Sequence, residues 1–415
     1  TTNPEAYELY LKAKHTYHKR IDTDDTKKAR KLLRQAIELD DTLLSAKLQL
    51  GFTYSQMGEY DEAMKIYTPV LKQAEKLADK IGMLDTLNNI GVVHYSKGEY
   101  DKALEYFDKS LKINEGLDDK NETANILNNI GLAYCEKGDY NKALESYNDS
   151  MKILKQIDNK HLMGNALNNM GLVYYNKGLY DNATECFAKA LKIYKDFDDK
   201  YGNGHTLNNM GLVYHEKGQY DSAHESYLKA LKISEELSNK YAIILNLNSF
   251  GYLYYDKGEY NEAMENFVKA LNIAEEIDDK SGVGLSLENI GTVHYSIGNY
   301  DKASEFLEKT LRIYEEIGIY RSATIDASVY LYLCYKHLGK NYNEKNIYNI
   351  IKEADNIEFE LYFRIYELLN DNSYLDNAYR LVKEKASNIE KKLSDKFLNY
   401  PIPKMIIIEW EKNNE

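Results

Sequence analysis

Apolar and small residues recur along this chain with two periods at once, one of three to four residues and one of 40. A typical stretch runs from Asn121 to Lys137, where Leu127, Ile130, Gly131 and Tyr134 fall on one face of a helix. Gly138 follows, and glycine enters the left-handed conformation that ends a helix without a Cβ clash. Asp139-Tyr140-Asn141 then turns the chain, with Asn141 expected as the next N-cap. Ala143, Leu144, Tyr147, Met151 and Leu154 form the apolar face of a second helix. The pattern predicts a helical hairpin.

The hairpin is repeated in strict register. Glycine stands at 51, 91, 131, 171, 211, 251 and 291, and a second glycine follows each by seven residues. A tyrosine comes two residues later, from Tyr60 and Tyr100 through to Tyr300, and an alanine three beyond that, from Ala63 to Ala303. The first glycine and the alanine are expected where the paired helices cross, since a larger side chain there would force the backbones apart. The turn tyrosine is expected to fill the gap between hairpins. One hairpin cannot bury such a face alone, so the copies must stack.

The run Leu127-Asn-Asn-Ile-Gly-Leu-Ala-Tyr134, then Lys137-Gly-Asp-Tyr140, then Ala143-Leu-Glu-Ser-Tyr147, resembles the tetratricopeptide repeat. The 40-residue period is similar to the subset found in kinesin light chains and mitotic-spindle orientation adaptors. The resemblance covers roughly residues 5 to 320 and implies an all-α, right-handed superhelical solenoid of stacked antiparallel helix pairs. Residues 1–320 are assigned to about eight hairpins, and 321–415 to a degenerate ninth hairpin with a C-terminal helical cap. Residues 5–40 keep a second helix, with Ala29, Leu33 and Ala36 in register. Past residue 320 the register fails: Leu331 takes the first glycine slot and Gly339 comes one residue late. Helical pattern continues over Ile347–Ile357, Phe359–Leu369 and Tyr374–Leu398, and Pro401–Trp410 is expected as a short docked helix, with a partner-binding tag as the alternative. The opening Asn3-Pro-Glu-Ala-Tyr-Glu-Leu-Tyr-Leu-Lys12 resembles solenoids fused behind bacterial signalling domains. With no initiator Met or signal peptide, a trimmed start behind an upstream domain is expected.

Charge narrows the partners. The formal net charge is −13, so nucleic acid and anionic membranes are poor partners and neutral or basic polypeptides better ones. Cys135, Cys186 and Cys334 lie far apart without CxxC spacing, which fits a reduced, cytoplasmic chain. No run of about 18 apolar residues is present.

On each first helix, residues offset by 4, 7 and 11 form one stripe away from the core residues. The third copy gives Asp85, Asn89, Val92 and Ser96; the fourth gives Asn125, Asn129, Leu132 and Glu136. The fifth gives Asn165, Asn169, Leu172 and Asn176, and the sixth His205, Asn209, Leu212 and Glu216. Leu245, Ser249, Tyr252 and Asp256 break the series, and the eighth copy returns to Leu285, Asn289, Thr292 and Ser296. In a solenoid of this type the first helices line the concave wall. Asparagine is disfavoured inside helices, so its recurrence at one register calls for a reason. Its amide matches a peptide group, and a row of amides is expected to hold the backbone of an extended peptide. The resemblance to tetratricopeptide proteins that hold extended peptides through such a ladder agrees. A structural alternative is amide–amide bridging between neighbouring first helices. Basic ligand residues are expected to meet Asp85, Glu136 and Glu216.

Other chemistry finds less support. His15 and His18 are three apart, but no further ligand set converges with them. His94 and His294 take a slot that tyrosine fills in other copies, and read as core substitutes. His205 and His215 are placed in the groove as candidate pH-sensitive residues. The repeated Asp118-Asp119-Lys120, Asp198-Asp199-Lys200 and Asp278-Asp279-Lys280 lack calcium-loop spacing and read as helix caps. Phosphate-loop, nucleophile-elbow and zinc-protease motifs are missing from the sequence. The reading is a protein or peptide-binding scaffold, not an enzyme, and without a cofactor. The alternatives are a sensory or regulatory arm of a bacterial signalling protein (a cyclase, kinase or transcription regulator) and a self-assembling homo-oligomer.

Overall fold

Each 40-residue copy folds as two helices because a glycine between the paired helices and an aspartate or asparagine at the start of the first punctuate it at fixed places. The computed structural model describes residues 3–18, 23–318, 324–352, 357–387 and 391–414, and among them helices are joined by turns and short connections, with no strand. Sixteen helices pair as eight antiparallel hairpins: α1 Pro4–His18 with α2 Thr23–Leu39, α3 Leu44–Ser55 with α4 Tyr60–Leu77, α5 Lys80–Ser96 with α6 Tyr100–Glu115, α7 Lys120–Glu136 with α8 Tyr140–Gln156, α9 Lys160–Asn176 with α10 Tyr180–Asp196, α11 Lys200–Glu216 with α12 Tyr220–Glu236, α13 Lys240–Asp256 with α14 Tyr260–Glu276, and α15 Lys280–Ser296 with α16 Tyr300–Glu316. Six more follow: α17 Ile325–Leu338, α18 Glu344–Lys352, α19 Phe359–Leu369, α20 Asn372–Ser387, α21 Lys391–Phe397 and α22 Pro401–Asn414. The chain divides into two compact units, Thr1–Thr206 and Leu207–Glu415.

Gly138 has φ +75°, so the first helix ends where the sequence places it. The N-cap of α8 is Asp139, not Asn141, and its side chain accepts a hydrogen bond from the Lys142 amide. Tyr140 already has helical backbone, which moves the start back, and Asn141 instead accepts a hydrogen bond from Lys177 Nζ at 3.0 Å. Between copies the acidic pairs divide the work. Asp118, Asp158, Asp198 and Asp278 hold left-handed φ of 50–55° at helix ends, a conformation aspartate tolerates better than most residues. Asp119, next in line, caps α7 by accepting from the amides of Asn121 (2.9 Å) and Glu122 (3.1 Å). Asp119→Ala is expected to cost about 1 kcal/mol. Urea denaturation checks it, and an unchanged midpoint would show the cap to be idle.

Inside each hairpin, the first glycine faces an aromatic ring rather than the alanine or the backbone. A Cβ on Gly131 would lie 2.6 Å from the Tyr147 ring, and one on Gly171 2.5 Å from the Phe187 ring. Tyr67, Phe107, Tyr227 and Phe267 fill the same place opposite Gly51, Gly91, Gly211 and Gly251, and Leu307 does so opposite Gly291. These rings are among the largest fully buried side chains, and the register alanines beside them are also fully buried. Burying one ring contributes roughly 2 kcal/mol, available only while the facing residue is glycine. Turn tyrosines pack on the end of the preceding helix, as in Tyr95–Tyr100 and Tyr175–Tyr180, with ring centroids about 6 Å apart. His94 stacks on Tyr106 and His294 on Phe306, in keeping with a packing role.

Candidate functional site

In the first unit the stripe lies half-exposed along α5, α7 and α9. Asn89, Asn129, Asn169, Leu132 and Leu172 are all partly buried, and Glu136 and Asn176 are exposed. The asparagines form rungs between neighbouring first helices. Asn129 Nδ2 donates to Asn88 Oδ1 at 3.0 Å, and Asn169 Nδ2 to Asn128 Oδ1 at 3.2 Å. Thr206 Oγ1 continues the series by donating to Asn168 Oδ1 at 3.0 Å. Two neighbouring asparagines per copy are therefore needed, one to donate and one to accept, which accounts for the doubling. The amide–amide bridging expected as the structural alternative is present, and it holds the half-exposed amides of one wall in fixed orientation.

Not every stripe residue faces outward alone. Asn125 Nδ2 donates to Glu122 at 3.4 Å, and Asn165 accepts from the Tyr194 hydroxyl at 2.7 Å and so is engaged by α10. His205 packs on Tyr201 with ring centroids 4.5 Å apart, and burial lowers its pKa. Asp85 and Glu122 are partly buried carboxylates with no lysine or arginine partner among the described residues. Burial, with Glu122 and Asp79 nearby, pushes the Asp85 carboxyl up to about 6.

A second set of rungs was missed by the sequence reading. The Tyr95 hydroxyl hydrogen-bonds Glu136, and Asn176 Nδ2 lies 3.6 Å from Cys135 Sγ. In the second unit His215 Nε2 meets Asp256 at 2.9 Å and the Tyr255 hydroxyl meets Ser296 at 2.9 Å. His215 is thus buried in a rung and does not line the groove. The available signal was positional: from Gly91 onward the residue four after each first glycine is Tyr95, Cys135, Tyr175, His215, Tyr255 or Tyr295, and the next is always polar.

The second unit presents the same face in a different state. Asn289 donates to Asn248 at 3.1 Å, but both are buried, as is Ser249. Asn209 and Leu212 are partly buried, Leu212 against the core cluster of Tyr220, Ala223, Tyr227, Phe250 and Leu253. The chain's own C-terminal helices lie against this unit. Lys385 Nζ on α20 is 2.7 Å from Glu216, and Tyr255 and Tyr330 donate to Glu360 on α19 at 2.8 and 2.6 Å. Arg364 is buried with its guanidinium 5.1 Å from the Tyr295 ring and paired with Glu367 at 2.8 Å. The Tyr400 ring packs on Tyr220 at 4.9 Å, and Pro401 abuts Gly258. The Pro401–Asn414 helix is docked as expected: Ile406 is fully buried, and Trp410 stacks on Tyr379 at 3.9 Å and donates to Asp376.

The family model of the tetratricopeptide repeat matches residues 41–116, 82–156, 162–236 and 241–316, together more than half of the chain. The chain belongs to the tetratricopeptide-repeat family. No curated protein sequence matches it. Among solved structures it is similar to a signal transduction ATPase with numerous domains (STAND) protein with a tetratricopeptide repeat sensor from Pyrococcus horikoshii, at 19% identity and TM-score 0.53. That match covers 91% of this chain but only 55% of the STAND protein. It is also similar to the apo form of RapI, at 18% identity and TM-score 0.52 over 66% of this chain and 98% of that one. These likenesses agree on the fold.

What a tetratricopeptide wall of this composition offers is recognition. The half-exposed amides present fixed donors and acceptors, Leu132 and Leu172 offer apolar contact between them, and the carboxylates offer negative charge. The thiols are poor nucleophiles: burial pushes Cys135 up to about 11 and Cys334 up to about 12. No three His, Cys, Asp or Glu side chains among the described residues converge on a metal position, and the His18 side chain lies outside the described residues. No helix among them is long and apolar enough to cross a membrane.

Proposed function

We propose that this tetratricopeptide chain is a protein-interaction scaffold that holds an extended polypeptide segment along the first-helix wall of its first unit. The ligand runs across α5, α7 and α9, with its backbone against Asn89, Asn129 and Asn169 and its side chains against Leu132 and Leu172. The observation that carries this reading is the contrast between the units. The asparagines Asn89, Asn129 and Asn169 are half-exposed in the first, whereas in the second Asn289 and Ser249 are buried and Glu216 pairs with the chain's own Lys385, although Leu245 and Tyr252 stay exposed there. Such a wall supports binding rather than catalysis, and a neutral or basic partner rather than nucleic acid or membrane.

A peptide array probed with the full chain and with Asn129→Ala/Asn169→Ala tests it. Losing two peptide hydrogen bonds is expected to weaken binding about tenfold or more. Circular dichroism must show the variant folded. Equal binding by the two proteins would move the site off this wall.

A second reading is favoured by the STAND likeness, in which a longer protein carries a tetratricopeptide repeat sensor. In that reading the same wall is the sensory arm of a larger signalling protein and its ligand is the signal. Joining the chain to its neighbouring coding sequence tests this, since an ATPase, cyclase or kinase domain in the same gene is required.

A further inference from the structure

The seventh copy departs from the amide row of its neighbours. Where the third to sixth and the eighth copies carry Asp85, Asn125, Asn165, His205 and Leu285, it has Leu245. Where they carry Val92, Leu132, Leu172, Leu212 and Thr292, it has the aromatic Tyr252. Between these two, Ser249 stands in the slot of Asn89, Asn129, Asn169, Asn209 and Asn289. The Ser249 hydroxyl donates to the Leu245 carbonyl on its own helix at 3.0 Å and so makes no rung. On the register of the Asn129–Asn88, Asn169–Asn128 and Asn289–Asn248 rungs, the residue left without its donor is Asn208. Asn208 is 1% exposed, and neither its Nδ2 nor its Oδ1 is hydrogen-bonded among the described residues. A buried amide without a partner is destabilising, and asparagine at 249 would supply the partner. The fold accepts that cost to keep position 249 small.

The small residue leaves a step between two exposed apolar side chains. Leu245 and Tyr252 are 41% and 42% exposed, while Ser249 between them is buried. They lie two turns apart on one face of α13, about 10 Å along the helix axis. Tyr252 faces a cleft between elements of the second unit. Its ring meets Phe267 edge-on at 5.6 Å, and its hydroxyl hydrogen-bonds Asn289. Glu288 on α15, Asp326 on α17 and Glu358 at the N-cap of α19 all act on that hydroxyl. Asp326 and Glu358 are exposed, and neither has an ion-pair partner among the described residues. Lys385, which acts on Glu358, already pairs with Glu216 at 2.7 Å. An aromatic face beside uncompensated carboxylates suits a cationic side chain.

We propose that Leu245, Ser249 and Tyr252, with Asn208 beneath them and Asp326 and Glu358 beside Tyr252, form a docking site for a basic peptide segment in polyproline-II conformation. In that conformation residues i and i+3 share a face about 9 Å apart, close to the spacing of Leu245 and Tyr252. An aliphatic side chain packs on Leu245. Three residues on, an arginine or lysine lies over the Tyr252 ring with its charge toward Asp326 and Glu358. A backbone carbonyl between them passes over Ser249 and accepts from Asn208 Nδ2, in place of the missing rung. This site goes beyond the proposed function, since it uses neither the first unit nor its amides.

The probe is a fluorescein-labelled peptide, Pro-Leu-Pro-Pro-Arg-Pro, titrated into the full chain at pH 8. That pH lies above the value of about 6 to which burial, and then the charge of Glu360, pushes the Asp326 carboxyl. Binding is expected, weakening as salt rises. Glutamate in place of the peptide's arginine, or Tyr252→Ala or Asp326→Asn/Glu358→Gln in the chain, is expected to weaken it about fivefold or more. Ser249→Asn is the sharpest variant, because its new amide bonds Asn208 and fills the step. It is expected to unfold at higher urea than the wild type and yet to bind the probe about tenfold more weakly. A purely structural serine would not move stability and binding in opposite directions. No binding by the wild type at millimolar probe, undiminished binding by Ser249→Asn, no gain in its stability, or equal binding of the arginine and glutamate peptides would each overturn the proposal. Asn129→Ala/Asn169→Ala is expected to bind this probe normally, so the first-unit wall and this site can fail separately.

Discussion

Gly171→Leu is expected to destabilise the first unit by on the order of 3 kcal/mol and to loosen the fifth hairpin before its neighbours. The reason is the Phe187 ring, fully buried, whose nearest atom lies 2.5 Å from where the new Cβ would stand. That distance is below any van der Waals contact, and three further carbons of leucine follow the Cβ. The ring has nowhere to retreat, because Ala183 and Ala190 on the same helix are themselves fully buried. In a stack whose stability is a sum over repeats and interfaces, damage at one hairpin splits a cooperative transition. Urea denaturation, with hydrogen exchange over α9 and α10, measures both effects. Adding Phe187→Ala should recover part of the loss, since the strain comes from that ring. An unchanged midpoint for Gly171→Leu would refute the packing described for every hairpin.

The second large effect is a dependence on pH at Glu288. This residue occupies the register where the other first helices carry Asn88, Asn128, Asn168, Asn208 and Asn248. It is buried on α15, accepts a hydrogen bond from the Tyr314 hydroxyl at 2.7 Å, and its carboxyl is pushed up to about 8 by burial and then by the charge of Asp326. The folded state therefore keeps a proton that the unfolded chain gives up near 4.5. Stability from this group is fully present below 4.5 and declines as pH rises toward 8. At about 1.4 kcal/mol per pH unit, the loss by pH 7 is about 3 kcal/mol. Glu288→Gln keeps an acceptor for Tyr314 and has no proton to lose. Urea midpoints taken from pH 5 to 8 should fall more steeply for the wild type than for the variant, with the variant more stable at pH 8. Parallel profiles would mean that Glu288 titrates as an ordinary surface acid.

The hairpins were legible because the 40-residue period repeats every packing contact seven times, so the glycine, alanine and tyrosine positions stand out against varying surface residues. The ring facing each glycine was harder to see, because it changes from tyrosine to phenylalanine to leucine while keeping its place. The start of α8 was misplaced for a local reason: one non-helical residue, Asp139, is enough to link the left-handed Gly138 to the next helix. The asparagine row was legible as a row, and its bridging role was stated only as an alternative. A donor and its acceptor lie 41 residues apart, one residue out of register with the repeat. The C-terminal docking was not legible, because past Gly318 the periodic signal ends and a contact such as Lys385–Glu216 joins residues 169 positions apart.

The central claim is that ligand lies on the first-helix wall of the first unit, and hydrogen exchange of the full chain, with and without the strongest array peptide, tests it most directly. Added protection is predicted along 120–136 and 160–176, the first helices of the fourth and fifth hairpins, with little change in their outer partners α8 and α10. Protection confined to α8 and α10 or to the C-terminal helices, or none anywhere, would contradict it.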